Sequence, residues 1–196
     1  MECTDPGRPA ALIHWAGRLP FLRLTSFVLV AQTPIHQSRE EWLVPLVLEN
    51  PSSLTEWVGR KIGVTDWWTI TQDRIAQFAE VTDDGQWIHV DQDRARRESP
   101  FQTTIAHGFL TLSLLSRFMR QVVEMRSGVH MAVNYGLNRV RFPAPVRADS
   151  RIRVHFVVQS AKQVPGALEA VFQVSIETEG SAKPCCVAEW VLRYYS

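Results

Sequence analysis

The sequence predicts an α+β domain in which a long central helix is wrapped by an antiparallel sheet. Three observations carry that reading. Residues 130–195 alternate apolar and polar side chains in successive runs, the period-two signature of half-buried strands. Residues 50–123 read mainly as helices and loops, so the two kinds of element are segregated along the chain rather than interleaved. Between them, Phe109 to Val123 is apolar on most faces, as in a buried helix of about five turns.

The first 45 residues differ from the rest. Leu19–Ala31 is apolar but contains Arg23 and is shorter than the roughly 20 residues a membrane helix needs. A secretory leader would show a clean small-x-small cleavage site, which is missing here. Residues 1–45 are therefore expected to be a poorly structured extension, with one domain over 46–196. Beyond Pro51, Ser52-Ser53 is expected to cap a helix from Leu54 to Lys61, ended by Gly63. Val64–Ile70 is rich in aromatic and β-branched residues and reads as a strand. Thr71 then caps a helix whose Ile75, Phe78 and Ala79 share one face and which ends at Thr82.

That helix delivers the chain into a polar loop, Asp83-Asp84-Gly85-Gln86-Trp87-Ile88-His89, in which Gly85 is expected to supply the positive φ of a sharp turn. Asp91 caps a short charged helix, Gln92 to Glu98, stopped by Pro100. Thr104-Ile105-Ala106-His107-Gly108 opens the central helix. On the C-terminal side, His130–Leu137 and Val140–Phe142 are expected to flank a tight turn at Asn138-Arg139. Ser150–Gln159, Ala167–Glu177 and Val187–Tyr195 complete the sheet.

The formal net charge of +1 offers no electrostatic reason to expect nucleic acid or an anionic membrane as partner. Three cysteines, Cys3, Cys185 and Cys186, make neither a disulfide framework nor the paired spacing of a zinc site, which suits a reducing cytoplasm. Chemistry concentrates between Asp84 and Ser116. Unperturbed pKa values of about 3.9 and 6.5 make Asp84 and His89 a base and a proton shuttle near neutrality. Water held between them would be primed to attack carbon. Gly108, at a helix start, leaves backbone N–H groups open to an oxyanion. His107 could orient the loop or simply be packed, and Ser116 could bond the loop carboxylate or its own helix.

At these residues the chain resembles the MaoC-type, or R-specific, enoyl-CoA hydratases of the hot dog fold. The family loop Gly-Asp-x-Asn-Pro-x-His-x-Asp is matched by Asp83 to Asp91, the Ile-Ala-His-Gly element by Ile105 to Gly108, and Arg-Phe-Pro-x-Pro-Val by Arg141 to Val146. QWIHVD is similar to a subgroup of mycobacterial single-domain hydratases and NodN-like proteins. The resemblance implies (R)-specific hydration of trans-2-enoyl-CoA, with Asp84 and His89 as the catalytic pair and Gly108 as oxyanion donor. It also implies Ser116, Gln86 and His107 in support, a homodimer, and no metal or cofactor beyond the coenzyme A of the substrate. Two departures stand out: Asp83 replaces the family glycine, and Gln86-Trp87 replaces Asn-Pro. A thioesterase on the same fold, or a non-catalytic acyl-binding or nodulation-type accessory protein, are the alternatives.

Overall fold

A computed structural model of the chain describes residues 44–196. Apart from Val44 and Pro45, the expected N-terminal extension lies outside the described residues, as does Cys3. The frame is a six-stranded antiparallel sheet: β2 (Lys61–Val64), β6 (Arg151–Val164), β7 (Ala167–Thr178), β8 (Pro184–Tyr195) and β5 (Met131–Arg141) lie in that order, and β3 (Trp68–Thr69) also pairs with β6. Alternation in the sequence becomes register here. Val154 faces Ile176, Phe156 faces Val174 and Val158 faces Phe172, so a single face of the sheet collects the apolar side chains.

Against that face lies the central helical segment, formed as two helices, α4 (Gly108–Ser113) and α5 (Leu115–Val122). The continuous five-turn helix expected there is interrupted at Leu114, whose ψ of −7° departs from helical values. Leu115, Phe118, Met119 and Val122 are buried against the sheet. Each such side chain contributes on the order of 1.5–3 kcal/mol by leaving water. Burial is one-sided, because Phe109 is 69% exposed. β4 (Val123–Met125), which follows α5, makes a small parallel pair with β1 (Leu46–Leu48) that has no counterpart in the sequence reading.

The segment before the loop departs from expectation in three places. The helix expected over Leu54–Lys61 is a 3-10 helix over Pro51–Trp57, and its cap is Asn50, whose Oδ1 accepts from the Ser52 N–H at 2.9 Å. The strand expected over Val64–Ile70 is split, because Thr65 turns its own hydroxyl into the ladder: Oγ1 accepts from Val154 N–H at 3.0 Å. Gly63 ends no helix. It sits inside β2, where a Cβ would lie 2.7 Å from Val122 Cβ, so the missing side chain lets α5 approach the sheet. At the far edge, Asn138-Arg139 makes no tight turn; β5 runs through it with a register shift between Leu137 and Val140.

Gly63→Ala should overpack the α5–sheet contact and cost about 1–3 kcal/mol. Thermal unfolding followed by circular dichroism should show Tm several degrees lower, and an unchanged Tm would mean that Val122 yields freely.

Candidate active site

The site begins where α1 (Gln72–Thr82) ends. Thr71 Oγ1 caps the start by accepting from Arg74 N–H, and Ile75 and Ala79 anchor the helix in the core. The positive φ expected of Gly85 falls instead on Asp83 (φ 54°, ψ 23°), whose N–H reaches back to the carbonyls of Ala79 and Glu80. This left-handed C-terminal cap is the conformation that favours glycine. The family glycine is thus replaced at the one loop position where its freedom is used. Aspartate tolerates the conformation better than most residues do.

His89 stands on α2 (Trp87–Val90), a single helical turn where a loop was expected. Its side chain is buried, and Nδ1 lies 2.6 Å from the Ile105 carbonyl oxygen. A carbonyl can only accept, so Nδ1 carries the proton and neutral His89 keeps its lone pair on Nε2. The receiving segment is itself fixed. Ile105 N–H donates to Ile88 O, Ala106 N–H to Val146 O, and Ala148 N–H to Thr104 O. Burial, the largest influence, lowers the His89 pKa below its ordinary 6.5. The Ile105 hydrogen bond works against this, His107 adds to it, and Asp84 opposes it. Asp91 Oδ1 accepts from Arg94 N–H and caps α3 (Gln92–Glu98), as expected.

His107 stacks on His89 with ring centroids 3.7 Å apart. Its Nε2 donates to the Asp84 backbone carbonyl at 3.0 Å and lies 3.8 Å from the Asp84 carboxylate. The buried Nδ1 has no partner. His107 therefore ties the carboxylate loop to the mouth of α4. Ligand-capable atoms of Asp84, His89 and His107 all fall within 4.8 Å, the described residues that could hold a metal ion. The two rings are inclined by 25°.

Gly108 opens α4 and lines a cavity of about 320 Å³ with His89, Ile105, Phe142 and Cys185. A Cβ on Gly108 would meet the Phe142 ring at 3.0 Å, so glycine admits that ring over the helix start. Gln86 precedes α2, is exposed, and makes no side-chain cap. Ser116 faces β5 from the flank of α5 and meets Asn134 Oδ1 at 3.5 Å, rather than the loop carboxylate or its own helix. With Phe78, Phe109 and Trp190 it lines a second cavity of about 390 Å³. Ser113 is the serine that bonds back, to Leu110 O. Two residues that sequence reasoning passed over act on His89: Gln72 Nε2 donates to the His89 carbonyl, and the Thr104 hydroxyl donates to Gln72 Oε1. Nothing in their local pattern signals this.

A carboxylate loop, two stacked imidazoles and a helix opened by glycine accompany a hot dog sheet. Residues 53–179 match the MaoC like domain, and the chain belongs to that family. It is 48% identical over 147 residues to the 3-hydroxyacyl-thioester dehydratase Z of Mycobacterium tuberculosis (strain ATCC 25618 / H37Rv), covering 74% of this chain and 96% of the relative. It is 43% identical over 136 residues to Nodulation protein N of Rhizobium leguminosarum bv. viciae, covering 68% and 84%. Among solved structures, the unliganded R-hydratase PhaJ1 of Pseudomonas aeruginosa superposes with a TM-score of 0.55 at 23% identity, over 71% of this chain and 82% of that one.

Asp83→Gly should relieve the left-handed cap and stabilise the fold by up to about 1 kcal/mol. A Tm equal to or below that of the parent in a thermal melt would show that aspartate is unstrained there.

Proposed function

We propose that the protein is a hydro-lyase that interconverts trans-2-enoyl and (R)-3-hydroxyacyl thioesters, with coenzyme A as the carrier. The observation that supports this most directly is the His89 tautomer. With Nδ1–H committed to Ile105, the bare Nε2 belongs to a ring that lines a cavity shared with the start of α4. In the hydration direction water adds its oxygen to C3 while Nε2 of His89 accepts its proton. Charge developing on the thioester oxygen is met by the Gly108 N–H, and Asp84, as the acid, supplies a proton to C2. Returning the proton from His89 to Asp84 resets the pair, and the reverse sequence is dehydration. The thioester itself makes C2 and C3 reactive, so the scheme needs no metal or redox cofactor. The name of the mycobacterial relative agrees with this chemistry.

Asp84→Asn or His89→Ala should lower kcat for hydration of crotonyl-CoA by at least about a hundredfold with the fold retained. Near-normal loss of enoyl absorbance in either variant would refute the assignment. Release of free thiol without loss of the enoyl would favour a thioesterase, and tight binding without turnover an accessory role. His89 must be neutral to act as base. Its lowered pKa therefore places the acid limb of kcat, where His89 gains its proton, below about pH 6.5. A limb centred above neutrality would exclude His89 as the base.

The protein is further proposed to act as a homodimer in the cytoplasm. β5 is an eleven-residue edge strand, and its Met131, Tyr135 and Leu137 are exposed. Such an edge is a ready template for a second sheet. Cys185 and Cys186 are free thiols, which suits a reducing compartment. No helix among the described residues is long and apolar enough to cross a membrane. Light scattering at micromolar concentration should give twice the chain mass, and a monomer would contradict the edge pairing.

A further inference from the structure

Gln72 is the first residue of α1 and lies 17 positions before His89, yet its side chain ends at the His89 backbone. Nε2 donates to the His89 carbonyl at 2.9 Å, and Oε1 accepts from the Thr104 hydroxyl. Thr104 is 1% exposed, and its own carbonyl accepts from Ala148 N–H. One amide thus joins three segments: the start of α1, the α2 turn that carries the imidazole, and the 104–106 segment whose Ile105 carbonyl holds Nδ1–H. Both ends of the His89–Ile105 hydrogen bond hang from this amide, His89 directly and Ile105 through its neighbour Thr104.

We infer that Gln72, acting through Thr104, is a positioning residue that locks the His89 imidazole in a single tautomer. The inference rests on the reading of His89 as base, because its consequence is a fixed lone pair on Nε2. A histidine whose Nδ1 hydrogen bond loosens can place its proton on either nitrogen, and the Nε2–H form cannot accept a proton from water. The amide is suited to the task because it donates and accepts at once. Leucine has its bulk and neither function, and a carboxylate would lack the donor that the His89 carbonyl requires. Within α1 the side chain does no capping, since Thr71 fills that role. Its two bonds are therefore spent on the site.

The test uses the full chain and four proteins: the parent, Gln72→Leu, Thr104→Val, and Thr104→Ser as the conservative variant that keeps the hydroxyl. Long-range nitrogen–proton NMR of the histidine rings, with the His89 signals assigned by their loss in His89→Ala, reads the tautomer directly. Hydration of crotonyl-CoA across pH reads the consequence. The parent and Thr104→Ser should show the pure Nδ1–H tautomer. Gln72→Leu and Thr104→Val should show mixed tautomers, an altered His89 titration, and kcat reduced by about ten- to a hundredfold, with KM changed less than twofold. A pure Nδ1–H tautomer in Gln72→Leu would overturn the inference, whether kcat stays normal or falls only with lost stability. If the parent fails to turn over the thioester while the variants still scramble the tautomer, the hydratase reading fails and the clamp stands.

Discussion

The hydrogen bond from His89 Nδ1–H to the Ile105 carbonyl is the constraint on which the site depends. It chooses which nitrogen carries the proton, and it does so with a backbone group that cannot titrate. Ile105 lies on a short segment bonded on both sides, to Ile88 and to Val146 and Ala148, so its carbonyl cannot follow the ring if the ring moves. A side chain bound to such a segment inherits the rigidity of its backbone hydrogen bonds.

Electrostatics then follow from packing. His107 lies flat against His89 and donates to the Asp84 backbone, so its bare Nδ1 is buried without a partner. Burial holds the His89 pKa below its ordinary value, and the neighbouring His107 ring adds to that lowering. His89 is thereby biased toward neutrality, while Asp84 remains at the exposed rim. The His107–Asp84 hydrogen bond draws the loop after α1 toward the start of α4, and so brings together Asp84 and Gly108, 24 positions apart.

Much of the frame was legible in the chain. Ile152, Val154, Phe156 and Val158 announced β6 because a pleated strand has a period of two, and their partners on β7 did likewise. Thr71 and Asp91 announced helix starts because their oxygens have few other uses before an apolar or charged run. Departures arose wherever a residue spent its character on a distant partner. Gly63 looked like a terminator but serves a close approach to Val122. Thr65 looked like a strand residue but bonds to Val154 in place of a backbone group. Gly85 looked like the bend, yet the turn geometry of α1 set the left-handed residue two positions earlier.

By itself the sequence determined the class of fold and the family, because periodicity, caps and short motifs are local properties. The meeting of Asp84, His89 and His107, the tautomer of His89, the break at Leu114 and the reach of Gln72 were decided by tertiary structure. Each depends on a separation in space between groups that lie far apart along the chain, and that separation is set by how α1 and the α4–α5 pair seat on the sheet.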